Sequence, residues 1–299
     1  MVADSLVTNS LQQQLERLAK SLKLAHAYVI ETNDREATEA SLTPIYQSFL
    51  CDTATPDNFT ACGKCKSCLL YQAGSHPDFK LLDGRTQSVG VDDIRAVSDW
   101  LNKTPQIAKN QVVSILAVGN MTENAANALL KTLEEPTSNS FLFLVNNGGE
   151  KLLPTISSRC QLLKQPIKLT AQLKQEYPNV PDYLVGYANG NETQIKAWQD
   201  EANQAHYKAL YELFVAWLKN QVSNNQLNNT MQKHAELTPF FVYLIERRCK
   251  QMILNNYLSN AEAALSVLSK FNFAQKNIKG QNKELALSAF IQNLESWVK

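Results

Sequence analysis

Glycine is scarce in this 299-residue chain: there are ten, and the first is Gly63. No position in the opening 62 residues therefore adopts a positive φ angle cheaply, which excludes a glycine-rich phosphate loop there. Also missing is any run of 18 or more consecutive apolar residues, so no membrane span is expected. The opening MVADSLVTNSLQQQLERL lacks the basic and apolar regions of a secretory signal. A cytoplasmic, reducing setting is the expectation, and the six cysteines read first as thiols or metal ligands. Charge of one sign is not in excess either. Lys and Arg number 29 against 28 Asp and Glu; up to residue 168 the tally is 16 to 17, and beyond it 13 to 11. A protein that held DNA alone through a basic face would carry a larger surplus.

What is present suits a globular protein of two or three domains: 44% apolar and 19% charged residues over this length. Leu11, Leu15, Leu18 and Leu22 are spaced as one face of a helix that Ser10 caps. Strands are expected at Ala27–Ile30, Phe79–Leu82, Val112–Val118, Phe141–Val145 and Gln161–Lys164. Val91, Ile94, Val97 and Leu101 give a helix, with Asp92 and Asp93 suited to its N-terminus. The helix signal at 122–135 (TENAANALLKTLEE) is the strongest, from a Thr122 cap to a stop at Pro136. Strands alternating with helices predict βαβ units and a largely parallel sheet. Between the first strand and the cysteines the reading is a polar stretch. After Pro166 the strand signals fade, and prolines and glycines break residues 166–203 into short helices. From 204 the pattern is helical, with NQVSNNQLNN (220–229) read as a polar loop between helices.

Cys62, Cys65 and Cys68 form C-x2-C-x2-C, with Cys51 upstream. Four thiolates in a reducing compartment suit a tetrahedral Zn2+, and four protein ligands leave no open position, so the zinc would be structural. Gly63 lets amides approach sulfur in the turn, and Lys64 offsets negative charge. The alternative is four unrelated thiols or a disulfide pair. His76, in a loop before Pro77, reads as a surface residue. Cys160 and Cys249 stand alone, and Cys249 is expected to pack in a helix.

HAYVI (26–30), the four cysteines, HPDF (76–79), VDDIR (91–95), NALLKTLEEP (127–136) and LLPTISSRCQ (152–161) occur in an order that resembles the bacterial clamp-loader ATPase family. The resemblance covers residues 1–165 well and the rest only in helical character. It implies three domains: an AAA+ α/β domain at 1–165 with a zinc loop at 51–68, a small helical lid at 166–203, and an all-helical collar at 204–299 that holds a pentamer together. It also implies zinc between the first strand and the next helix.

The family's motor subunits follow HAY with a phosphate loop ending Gly-Lys-Thr or similar, whose amides and lysine hold the phosphates. Here the matching stretch is ETNDREATEAS (31–41), with neither glycine nor lysine, and Glu31, Asp34 and Glu36 would repel a triphosphate. The strand that normally ends in a Mg2+-binding acidic pair ends here in Leu116-Ala117-Val118-Gly119-Asn120. No nucleotide-sensing arginine occurs in 186–200. ATP binding and intrinsic ATPase activity are therefore not expected. What remains is Ser158-Arg159-Cys160, whose arginine in this family reaches a neighbour's ATP site as a finger in trans. The resemblance thus implies a non-catalytic stator of the DNA polymerase III clamp loader, between delta and tau/gamma subunits, meeting the sliding clamp and primed DNA only through the complex. The alternative is a degenerate AAA+ protein that binds nucleic acid or regulates elsewhere.

The other candidates read as structural. Glu134 and Glu135 beside Lys131 suggest a solvated helix ion pair rather than catalytic carboxylates. Arg247, Arg248 and Lys250 make a small basic patch. Tyr207, Phe214, Trp217, Phe240, Phe241, Phe290 and Trp297 are expected in helix packing rather than base stacking.

Overall fold

The structure is a computed structural model that describes residues 10–85, 87–147, 152–165, 168–277 and 282–298; the expected boundary at 165/166 therefore abuts residues outside it. Two compact units are present: Met1–Gln175 with Asn189–Gln194, and Glu176–Ala188 with Ile195–Lys299. No helix among the described residues is long and apolar enough to cross a membrane.

The first unit is organised by five parallel strands, β1 (Ala27–Thr32), β2 (Phe79–Asp83), β3 (Gln111–Leu116), β4 (Ser140–Asn147) and β5 (Gln161–Lys164). Their spatial order is β2-β3-β4-β1-β5, with Val29 beside Leu144 and Val113 beside Leu142. Successive side chains alternate between faces. Tyr28, Ile30, Val112, Leu116, Phe143 and Val145 meet α1 (Leu11–Lys20) and α2 (Arg35–Leu50). Ala27, Val29, Val113, Ile115, Leu142 and Leu144 join the core of the other face. That core includes apolar side chains of α4 (Val91–Leu101) and α5 (Glu123–Glu134), whereas α3 (Lys66–Gln72) carries Cys68, the last of the four clustered cysteines. Burial on both sides is why the strands read as continuous apolar runs.

The capping signals hold in detail. Ser10 forms a capping box with Gln13, and the Thr122 hydroxyl accepts from the Ala125 amide at 3.1 Å. Asp93 accepts from the Gly90 amide at 2.8 Å, as a carboxylate in the first turn of α4 should.

The stretch read as polar after β1 is a sixteen-residue helix, α2. Asp34 caps it, and Leu42, Ile45, Tyr46, Phe49 and Leu50 are buried along it. Pro44 sits inside it and removes one backbone donor, a local penalty that this burial outweighs. The cysteine loop therefore follows a whole helix, where the resemblance implied zinc between the first strand and the next helix.

A short helix, α6 (Pro154–Ser157), precedes β5, and α7 (Thr170–Glu176), α8 (Asp182–Ala188) and α9 (Glu192–Ala197) come after it. The second unit is then built from α10 (Glu201–Leu218), α11 (Asn224–Lys233), α12 (Thr238–Leu254), α13 (Leu258–Asn277) and α14 (Lys283–Val298). Most of 220–229, expected as a loop, belongs to α11. Ser223 and Gln226 close a capping box there, and Leu227 and Met231, four apart, are both fully buried. Two apolar anchors in a polar decapeptide are too few to show helical periodicity in the sequence. Phe240 meets Tyr207 edge-on, and Phe241 does the same with Phe214 and Phe290. Trp217 and Cys249 are buried, but Trp297 is 40% exposed and is not a core residue.

Candidate functional site

Cys51 ends α2, Cys62 lies in the loop, and Cys65 and Cys68 bracket the start of α3. Gly63 takes a φ of +70°, the turn that brings Cys62 and Cys65 together. All four sulfurs lie within 4.8 Å of one another. A tetrahedral ion with Zn–S bonds of about 2.3 Å sets its sulfurs roughly 3.8 Å apart; Cys51 Sγ and Cys65 Sγ are 3.9 Å apart. That separation is nearly twice a disulfide bond of about 2.05 Å, and all four cysteines are free. Backbone amides donate to sulfur as in thiolate sites: Cys62 N–H to Cys51 at 3.4 Å, Cys65 N–H to Cys62 at 3.3 Å, and Cys68 N–H to Cys65 at 3.4 Å. The Lys64 amide, with the Thr53 hydroxyl and the Cys65 amide, lowers the Cys62 thiol to about 6. Burial pushes Cys68 up to about 12, so a cation is what would hold it as a thiolate. The four residues fit a metal ion of zinc's preferences, and they close its coordination sphere.

His76 is not a surface residue: it is 6% exposed and braces this site. Its Nδ1 accepts from the Asp78 amide at 3.0 Å, so Nε2 carries the proton and donates to Ser67 Oγ at 2.7 Å. Ser67 lies between Cys65 and Cys68 on α3, so this bond fixes the helix that carries two sulfurs. A serine, a histidine and an aspartate are adjacent, but they form no nucleophilic triad. The imidazole faces the hydroxyl as a donor, and the Asp78 carboxylate points away to accept from the amides of Gln106, Ile107 and Ala108. The HPDF motif carried the signal for this bracket.

Arg159 lies in the turn between α6 and β5, 36% exposed in its side chain. Its Nη2 is 2.7 Å from Glu134 Oε1 at the end of α5, and its Nη1 donates to the Thr155 carbonyl at 3.0 Å. Glu134 is thus the arginine's ion-pair partner, where a pair with Lys131 was expected. Cys160 turns inward against the core beneath, and burial pushes its thiol up to about 11. The serine-arginine-cysteine order therefore has a packed end and a presented end.

At the C-terminal end of β1, where phosphate loops occur, α2 begins without one. Asp34 caps it, accepting from the Ala37 amide at 3.1 Å, and is 4% exposed. At the end of β3, Ala117 adopts a left-handed conformation (φ 53°, ψ 52°). Gly84 packs so closely there that a Cβ would stand 2.7 Å from the Leu116 carbonyl oxygen.

Residues 7–167 match the family described as DNA polymerase III, delta subunit. This chain belongs to that family. Among curated relatives, the DNA polymerase III subunit delta' of Escherichia coli K12 is 35% identical over 157 residues, 51% of this chain and 46% of that protein. Its namesake in Haemophilus influenzae is 38% identical over 138 residues, 46% of this chain and 41% of its own length. The matches thus span about half the length of these relatives. A DNA polymerase III gamma subunit-related protein of Thermotoga maritima, of known crystal structure, is 20% identical with a TM-score of 0.47, covering 96% of this chain and 100% of its own. The matched part of this DNA polymerase III delta-family chain holds the cysteine cluster, Arg159 and Asp34 alike.

Proposed function

We propose that this chain is the non-catalytic stator of the DNA polymerase III clamp loader, contacting delta on one side and a tau/gamma subunit on the other. In this reading Arg159 enters the neighbour's ATP site, where a guanidinium stabilises charge spreading over the transferred phosphoryl group. The observation that carries it is the presentation of Arg159: a half-exposed guanidinium, braced from behind by Glu134 and the Thr155 carbonyl. Bracing reduces the rotamer freedom the side chain would lose on entering a neighbouring site.

Loss of intrinsic ATPase activity is part of the same proposal. The start of α2 offers a carboxylate where a triphosphate needs amides and a lysine, and β3 is followed by Ala117, Val118 and Gly119 where an acidic pair would hold Mg2+. Zinc at Cys51, Cys62, Cys65 and Cys68 would give the first unit structural stability and take no part in hydrolysis. We also propose the three-part division at 1–165, 166–203 and 204–299, with the last part as collar. The sliding clamp and primed DNA are reached through the complex.

Reconstitution with delta and tau/gamma subunits tests the reading, with clamp loading and ATP hydrolysis measured with and without this chain. Arg159→Ala should assemble normally and slow hydrolysis at one neighbouring site, on the order of a thousandfold at that site. Tight Mg-ATP binding by the isolated chain would overturn the stator assignment. Salt-dependent DNA binding without partners would favour a nucleic-acid-binding role instead.

A further inference from the structure

Asp34 does more than cap a helix. A cap needs one acceptor, which Ser, Thr or Asn supplies as well. Asp34 engages both carboxylate oxygens, and two of its three side-chain bonds reach a residue 159 positions away. Oδ2 accepts from the Thr193 amide at 2.9 Å, and Oδ1 accepts from the Thr193 hydroxyl at 3.0 Å as well as from Ala37. Its backbone is held in turn: the Thr38 hydroxyl donates to the Asp34 carbonyl at 2.7 Å, and the Asp34 amide donates to Thr32 Oγ1 at 3.0 Å. Asp34, Thr32 and Thr38 are all buried. A desolvated carboxylate with neutral donors on both oxygens makes stronger bonds than the same group in water.

Thr193 belongs to Asn189–Gln194, the short segment that packs with the first unit although the chain on either side of it belongs to the second. The segment opens with two left-handed residues, Asn189 (φ 48°) and Gly190 (φ 88°), and enters α9 at Glu192. Two further ties secure it: Asn33 Nδ2 donates to the Asn189 carbonyl at 2.9 Å, and Lys168 Nζ lies 3.1 Å from Glu192 Oε2. Of the three, only the Asp34 tie rests on a buried charged group.

We infer that the Asp34 carboxylate is a built-in latch. It sits at the N-terminus of the helix that follows β1, where phosphate-loop proteins hold a ligand anion, and it uses that position to fasten residues 189–194 to the first unit. The anion is a side chain of the protein itself, so the segment is fixed with no bound nucleotide. The inference stands whether or not Arg159 acts as a finger.

Hydrogen exchange of the full-length chain, read by mass spectrometry on peptides covering 189–197 and 35–50, tests it. Asp34→Ser keeps a good helix cap but is too short to bridge to Thr193. It should speed exchange in 189–197 at least about tenfold while leaving α2 near the wild-type rate. Thr193→Val, which removes only the hydroxyl donor, should speed the same peptide severalfold and leave α2 unchanged. Wild-type exchange across 189–197 in Asp34→Ser would overturn the latch, as would wild-type exchange there in Thr193→Val. A uniform rise across the first unit would also overturn it, because Asp34 would then be a general stability residue.

Discussion

Asp78 offers a prediction whose size can be worked from geometry. Its carboxylate is 1% exposed and accepts three backbone amides: Gln106 at 2.7 Å on Oδ1, and Ile107 at 2.7 Å and Ala108 at 2.8 Å on Oδ2. Asp78→Ala strands all three donors. Gln106 is exposed and can turn to water, whereas Ile107 is half-buried and Ala108 buried. Two stranded donors at about 1–3 kcal/mol each, with some relaxation of the loop, give a loss of about 2–5 kcal/mol. Asp78→Asn keeps a neutral acceptor for Ile107 and Ala108 and leaves its amide facing Gln106, so it should cost only about 1–2 kcal/mol. Because two units contribute to any whole-chain signal, the measurement is urea-dependent hydrogen exchange of β1 and β4, which reports the first unit alone. A loss under 1 kcal/mol for Asp78→Ala, or Asp78→Asn proving worse than Asp78→Ala, would refute the donor accounting.

Three further outcomes are expected. Purified protein should contain one zinc per chain by a colorimetric chelator assay, and Cys62→Ser should lower both that content and the stability of the first unit; a metal-free but fully stable wild type would exclude a structural zinc. Burial holds the His76 imidazole below its ordinary 6.5, against the opposing charges of Asp78 and Asp52. The unfolded chain therefore takes up this proton more readily, so first-unit stability should be complete above about pH 6.5 and fall as the pH drops, and His76→Gln should flatten that slope. A Cβ on Gly186 in α8 would overlap the Tyr243 hydroxyl of α12, so Gly186→Ala should destabilise the second unit by about 1–3 kcal/mol. Adding Tyr243→Phe should recover part of that loss in thermal unfolding, and no recovery would mean the overlap is relieved some other way.

Much of this protein is legible in local sequence. The strand cores, the Thr122 and Ser10 caps, and the C-x2-C-x2-C spacing act over a few residues, so periodicity and side-chain chemistry reveal them directly. α2 and α11 escape that reading for one physical reason. Their helicity rests on burial against distant elements (Leu42 through Leu50 under the sheet, Leu227 and Met231 under other helices), and local composition does not encode such burial. The site divides the same way. The four cysteines and Arg159 are visible as motifs. The role of His76 depends on Ser67 nine residues back, that of Asp78 on amides about thirty residues ahead, and that of Glu134 on an arginine in another turn. Chain chemistry named the groups. Only tertiary packing decided their partners, because a buried polar group must find its hydrogen bonds wherever the fold brings them, and for Asp34 that place is Thr193.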